Sequence, residues 1–581
     1  MQKALVGDQK ISLAVDVWSS PNHYAFLGAI AYMITPEWEL KSFVLGFEPL
    51  SGRHTGNNLA TIILKLLEYY NIKDRLLAIT TDNASNNGTM RTELQDQLKE
   101  LSVEWESQVG TIPCMAHVIQ LVVGELVKCL SVTPTNDKVN EVFNEDDIDA
   151  MLNSDNRLSD MNTHCNVIKK VRDLKVTQIG NTLIIFIAKQ IRLIAIAIFA
   201  SPQRTESFLE LQPENPRVIK QDCKTRWSST VDMLSRAYLL RKYIDEWLRS
   251  EGNYRKKFLK LRVSKLEWNH VQYMITLLQP FKQWTNALSK TKSVVIHQAW
   301  IVYNQLYDHL DDAFDKFNSS HASGEIYRSA IDAARKKLST YYSKTTTEGL
   351  LYNLACILDP SNKLTLYKTS DWKDYQTKYT TEFNNYFKKY YKPQVGSSNQ
   401  LAIAPAPIDD FTKLALQYRN QSAAIPTNPF SEVKGYITSP VLQPRNPLDN
   451  WRQIQAEYPN LARMARDVYS VSLAETEAER LFSIARRVCR WDRASLDPHT
   501  IQMIMVVKLF NPELVVEEAK EEQEEVEREA NGKLQDIEVE ELRTSNLFKF
   551  PTLVDDSVAA RFPELRRNFT TVLNESNEFG V

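Results

Sequence analysis

The stretch Lys10 to Trp18, KISLAVDVW, decides how the rest of the chain is read. Ile11, Leu13, Val15 and Val17 fall on one face of an extended segment, and Ser12, Ala14, Asp16 and Trp18 on the other. This period of two defines a β-strand, here one that ends near an acid. Outward from it, Tyr24 to Ile34 and Glu39 to Phe47 are two more strand-like runs with Pro36 in the turn between them, which predicts an antiparallel meander. His54 to Ile72 then changes period: Leu59, Ile62, Ile63, Leu66 and Leu67 recur at helical spacing. Arg75 to Thr81 returns to a short apolar strand, with Asp82 at its end. A polar helix start (Asn83 to Asn87), a helix through Leu101, a short strand near Thr111 and Ile112 and a helix from about Met115 complete the series.

The predicted order is β-β-β-α-β-α-β-α, with acids at the ends of the first and fourth strands. That is the arrangement of an RNase H-like α/β fold. At 581 residues the chain exceeds one ordinary core, so several folding units or one enlarged domain are expected. Hydrophobic residues at 43% exclude a disordered chain, and only 16 glycines point to high helix content. A formal charge of −2 gives no global attraction to nucleic acid, so a DNA-binding surface must be local.

Six cysteines (Cys114, Cys129, Cys165, Cys223, Cys356 and Cys489) contain no C-x-x-C pair, which predicts neither a disulfide framework nor a zinc finger and fits a reducing intracellular compartment. Met1 to Gln9 shows no basic-then-apolar signal pattern. Leu183 to Ala200 is the most apolar run, but Lys189, Gln190 and Arg192 interrupt it, so it reads as a buried helix and no membrane partner is expected.

The expected parts are a first section of the core over 10–135, an acidic linker over 136–160 and a large all-α insertion over 161–440, with a flexible stretch at 393–410. Residues 441–512 resume helical spacing, and 513–581 form an acidic tail dominated by Glu.

Phosphodiester chemistry with two metals needs carboxylates converging on cations about 3.5–4 Å apart, so that both attacking and leaving oxygens are stabilised. Asp16 and Asp82 can supply two such ligands, because neighbouring strands bring their ends together; taken singly, each also reads as a strand cap or turn residue. Cys114 and His117 have no second pair at ligand spacing, so no zinc is expected.

An ordered series of motifs adds to this: VDVWSS (Val15 to Ser20), HTG (His54 to Gly56), TTDNASNN (Thr80 to Asn87), CMAH (Cys114 to His117), SPQR (Ser201 to Arg204), CKTRWSST (Cys223 to Thr230), PLDNW (Pro447 to Trp451), YPNLARMARD (Tyr458 to Asp467) and EAERLFS (Glu477 to Ser483). Together, across about residues 10 to 512, they resemble the hAT family of transposases. The resemblance implies a DDE triad on an RNase H-like core, interrupted by a helical insertion before the last acid.

Periodicity leaves Glu475, Glu477 and Glu479 equally open as that acid; the family pattern, an acid directly before Arg-x-Phe-Ser, selects Glu479. Asp16, Asp82 and Glu479 are thus the expected catalytic and metal-binding residues, with Mg²⁺ or Mn²⁺ as cofactor. The resemblance also assigns Cys114, His117, Arg226 and Trp227 to the DNA end, with Trp227 stacking on a displaced base. Ordinary core packing is the other reading of Trp227. Arg486, Arg487, Arg490 and Arg493 face either DNA or solvent.

Residues 441–512 resemble the family's C-terminal dimerisation region, which implies self-association, double-stranded transposon ends as substrate and a nuclear location. The chain starts too close to its first strand to hold the BED-type zinc finger common in the family. That leaves a second expectation open: a non-catalytic, transposase-derived protein of chromatin or transcription.

Overall fold

The structure, a computed structural model, describes residues 7–52, 55–130, 176–222, 227–250, 258–289, 293–316, 322–369, 372–391, 429–489 and 496–510. The expected linker at 136–160, the stretch at 393–410, the tail at 513–581, and Arg226, Arg490 and Arg493 lie outside the described residues.

The first elements follow the expected order: β1 (Ile11–Ser19), β2 (Ala25–Ile34), β3 (Leu40–Leu50), α1 (Gly56–Tyr69), β4 (Leu76–Thr81), α2 (Ser85–Glu100), β5 (Thr111–Pro113) and α3 (Met115–Cys129). They build one five-stranded sheet in the order β3-β2-β1-β4-β5. The pairs β1 with β2 and β2 with β3 are antiparallel, as the short connections through Pro21 and Pro36 allow. β4 runs parallel to β1, and β5 parallel to β4, because each is reached through a helix.

Both faces of the sheet are covered, and β2 is buried along its whole length. On one face Ile11, Leu13 and Val15 of β1 and Leu27, Ala29, Ala31 and Met33 of β2 pack with Leu59 and Ile63 of α1 and Met90, Leu94 and Leu98 of α2. Gly56 allows the close crossing of the two helices: a Cβ there would lie 2.5 Å from the Met90 backbone nitrogen. On the other face Ala14, Phe26, Ile30, Tyr32 and Phe47 receive side chains from far along the sequence, including Leu481, Phe482, Ala485 and Met505.

Among the described residues, every regular element after α3 is a helix. The helices are α4 (Val176–Phe199), α5 (Pro202–Glu210), α6 (Trp227–Leu239), α7 (Arg241–Ser250), α8 (Lys265–Leu288), α9 (Ala299–Lys316), α10 (Ala322–Glu348), α11 (Leu350–Leu358), α12 (Gln376–Tyr390), α13 (Pro429–Thr438), α14 (Pro447–Ile454), α15 (Pro459–Tyr469), α16 (Thr476–Val488) and α17 (Pro498–Phe510). No described helix is long and apolar enough to cross a membrane. In α4, Ile187, Ile191, Ile194 and Ile198 are buried, while Arg192 forms a bidentate pair with buried Asp222 at 2.7–3.0 Å.

The described residues form two compact units. The first draws on 7–121, 284–308 and 338–510, and the second on 122–283 and 309–337. This differs from a single insertion over 161–440, because residues beyond 338 join the sheet-bearing unit. Amphipathic spacing says that a helix buries a face but not in which core. In the first unit α11 is fixed by Trp451, whose indole N–H donates to Leu358 O at 2.8 Å, and by the Tyr469 hydroxyl on Ala355 O.

Candidate active site

Asp16 lies near the end of β1, on the face shared with Ala14 and turned toward α16. Its Oδ1 accepts the Val17 N–H at 2.7 Å. Ala14 pairs with Thr80 in the parallel ladder, and the same register carried two residues forward sets Asp82 beside Asp16. Asp82 is held by a turn: its Oδ1 accepts the Ala84 N–H at 3.0 Å and the Asn87 side-chain amide. The polar run after Asp82, read from the sequence as a helix start, therefore also orients the acid.

The third acid arrives by packing rather than by strand pairing. In α16, Ala478, Leu481, Phe482, Ala485 and Val488 are buried, which leaves Glu479 and Arg480 on the exposed face. Phe482 stacks on Trp18 with ring centroids 6.1 Å apart. Gly28, the residue paired with Asp16, makes this approach possible, since a Cβ there would lie 2.9 Å from the Phe482 ring.

The segment leading into α16 is tied to the sheet strand by strand. Ser470 and Ser12 share a hydroxyl hydrogen bond at 2.8 Å, the Thr80 hydroxyl donates to Ser472 O at 2.7 Å, and the Met115 N–H donates to Leu473 O at 2.8 Å. The Glu479 N–H then donates to Glu475 O at 3.0 Å and begins the helix.

The electrostatics follow from this convergence. Burial pushes the Asp16 carboxyl up to about 6; the Val17 N–H opposes the shift, and the carboxylates of Asp82 and Glu479 add to it. Burial also raises Glu475 well above the usual range, with Asp16, Asp82 and Glu479 contributing in turn. Asp82 and Glu479 thus each lie within electrostatic reach of Asp16 and of Glu475.

The donor set is one of hard carboxylate oxygens, the kind that suits Mg²⁺ or Mn²⁺, and the buried Glu475 Oε1 has no hydrogen-bond partner. In donor chemistry the residues fit such an ion. As they stand, no group of three or more His, Cys, Asp or Glu among the described residues is arranged to hold a metal.

Cys114 is only 3% exposed. Its Sγ takes the backbone N–H groups of His117 and Glu475, and its own N–H donates to Thr81 O at 2.9 Å. The C-x-x-H segment therefore braces the end of β4 against the start of α16. His117, half-buried, sits in the first turn of α3.

Trp227 is half-buried at the first position of α6. Just before it in the chain, Asp222 is clamped by Arg192 and by the Thr230 hydroxyl at 2.7 Å. Two positions were not singled out from the sequence. Gly28 carries a signal there, since glycine inside a strand often marks close approach of another element. Asp222 carries none, because its partner is thirty residues away on another helix.

Three sequence profiles match the chain: a ZBED1 RNase-like domain over residues 14–108, a ZBED1 RNase-like helical domain over 175–277, and the hAT family C-terminal dimerisation region over 432–509. Among curated proteins, the chain is 33% identical over 504 residues to a protein of Talaromyces stipitatus that carries the name transcriptional regulator tpeD, covering 86% of the chain and 53% of that protein. It is 21% identical to a protein of Zea mays named as an AC transposase, covering 86% and 56%. It is 22% identical to zinc finger BED domain-containing protein RICESLEEPER 2 of Oryza sativa subsp. japonica, covering 86% and 64%. The chain thus spans between about half and two thirds of the length of these relatives.

Proposed function

Since the chain belongs to the hAT family of transposases, we propose that it is a DDE-type enzyme that cleaves and joins double-stranded DNA, with Asp16, Asp82 and Glu479 as its acidic triad. One observation carries this reading. Asp82, at the end of β4, and Glu479, at the start of α16 and several hundred residues away, both come within electrostatic reach of Asp16 near the end of β1. Asp16 and Asp82 are oriented by local N–H and amide donors, and the charges that act on the Asp16 carboxyl are those of Asp82 and Glu479, both of like sign.

Asp16, Asp82 and Glu479 would hold Mg²⁺ or Mn²⁺. The bound ions would stabilise the charge that develops on the attacking and leaving oxygens of the phosphodiester. The protein's part is to fix the acids. The Val17 N–H orients Asp16, the turn through Ala84 and Asn87 orients Asp82, and the docking of Phe482 over Gly28 sets Glu479. His117, Arg226 and Trp227 are assigned to the DNA end. Arg226 pairs with a phosphate. Trp227 stacks on a base, an interaction that contributes about 1–3 kcal/mol. The C-terminal region supports self-association, and a nuclear location goes with a DNA substrate.

The name of the relative at 33% identity favours a second reading, a transposase-derived regulator that binds DNA without cutting it. One experiment separates the two. Purified protein is incubated with Mn²⁺ and double-stranded DNA that carries the terminal repeats of its own element, comparing wild type with Asp82→Asn. Cleavage by the wild type alone is the expected result. Equal outcomes for the two proteins would overturn the enzymatic reading and leave the regulator.

A further inference from the structure

The segment Leu239 to Trp268 carries nine Lys and Arg against four Asp and Glu, in a chain whose formal charge is −2. The site at the sheet makes no use of this local excess. Its described part falls at the junction of α6 and α7 and in the first turn of α8, all within the second unit.

The backbone bonds from the Leu240 N–H to Arg236 O and from the Ile244 N–H to Leu240 O carry the helical turn across that junction. Tyr238, Arg241 and Lys242 therefore stand on one face, at spacings of three and four. Asp232 of α6 pairs with Lys282, and the Tyr238 hydroxyl donates to Gln272 Oε1 at 2.9 Å. Rising numbers on α6 thus meet falling numbers on α8. The two run antiparallel, so the next turn sets Arg241 and Lys242 beside Lys265 and Leu266.

The Arg241 guanidinium lies over the Tyr238 ring, 4.3 Å from its centroid, and donates to Tyr238 O at 2.7 Å. Tyr238 in turn meets Trp268 edge-on, with centroids 6.2 Å apart. Ring and carbonyl hold the guanidinium in place. Among the described residues Arg241 has no ion pair, and neither have the exposed Lys242 and Lys265. The neighbouring acids are engaged elsewhere. Asp245 takes both Arg249 at 2.7 Å and Arg262 at 2.6 Å, and Glu267 accepts the Ser264 N–H at 2.6 Å in a capping box that starts α8. Glu246 is left exposed. Beside the cations, Leu266 is 58% exposed and Trp268 half-buried.

A guanidinium already fixed loses little freedom on pairing with a phosphate, and two lysines beside it extend the charge along a backbone. We propose that Arg241, Lys242 and Lys265, around Trp268 and Leu266, form a surface that binds the phosphate backbone of duplex DNA. Tyr238 lies eleven residues from Trp227, about 16 Å along α6. The contact is thus separate from the one assigned to the DNA end. It rests on DNA as the substrate in the reading above and is independent of whether the chain cuts it.

The test is fluorescence anisotropy of a labelled duplex of arbitrary sequence, titrated with the full chain in chelator at several NaCl concentrations. Each neutralised phosphate contributes about 0.9 to the slope of log affinity against log salt. The triple variant Arg241→Gln, Lys242→Gln and Lys265→Gln is expected to flatten that slope by about 2 to 3. A charge-matched control, Lys73→Gln, Lys336→Gln and Lys378→Gln, removes cations paired with Glu68, Asp332 and Glu382 and should keep the wild-type slope. A slope unchanged in the triple variant, or lowered equally in the control, would overturn this surface and leave DNA binding standing. A wild-type chain that binds no duplex would overturn both this inference and the DNA reading. Lost binding of polyglutamate with DNA binding intact would overturn it in favour of an acidic protein. If the far-ultraviolet spectrum shows the triple variant unfolded, Lys242→Gln with Lys265→Gln alters only exposed side chains and should flatten the slope by about 2; no change there also overturns the proposal.

Discussion

Replacing Asp16 with Asn should stabilise the metal-free protein, by an amount that grows with pH. The Asp16 carboxyl lies at about 6 in the folded chain against an ordinary 3.8. Its folded-state value is raised, so between these two values the native state binds more protons than the unfolded state, and stability falls as pH rises. The loss is complete above the folded value. A gap of about 2 pH units corresponds to about 3 kcal/mol at pH 8, and to about 1 kcal/mol at pH 4.5. Asn keeps the oxygen that accepts the Val17 N–H and cannot ionise. The variant should therefore gain about 1 kcal/mol at pH 4.5 and about 3 kcal/mol at pH 8.

Urea unfolding followed by far-ultraviolet circular dichroism, in a chelator and at both pH values, measures the difference directly. A gain that is the same at both pH values, or a loss at pH 8, would refute the claim that Asp16 is held against burial and like charge. Addition of Mn²⁺ should reverse the order, because an ion that binds only the folded wild type raises its stability by mass action.

Three other perturbations probe the frame around the site. Gly28→Ala places a Cβ 2.9 Å from the Phe482 ring and should cost about 1–3 kcal/mol by overpacking, read by urea unfolding, with Mn²⁺ binding weakened as α16 is displaced. Asp222→Asn removes the charge from the bidentate pair with Arg192 and should destabilise the helical unit, read as a lowered thermal midpoint. Met503 and Val507 lie one turn apart on α17, each half-exposed, inside the segment that matches the hAT dimerisation region; the pair Met503→Glu and Val507→Glu should lower the mass measured by light scattering after size exclusion, with the far-ultraviolet spectrum unchanged.

The sequence by itself determined the sheet. Alternation in Lys10 to Trp18, the change of period at Leu59 and its return at Arg75 gave strand and helix in the order observed, because such periods depend only on local geometry. It also put Asp16 and Asp82 at the ends of paired strands, since parallel neighbours have their ends on one side.

Periodicity left Glu475, Glu477 and Glu479 equivalent, and the motif that selected Glu479 says nothing of burial. Tertiary structure separates them: Glu479 is exposed, and Glu475 is enclosed with an oxygen that has no partner. Likewise, helical spacing beyond Val176 predicted buried faces, but the division into two units depended on which core each face met. A local pattern fixes what a segment is and which side it hides. What it hides against depends on contacts between residues hundreds apart, and only the folded chain sets the electrostatic surroundings of an acid.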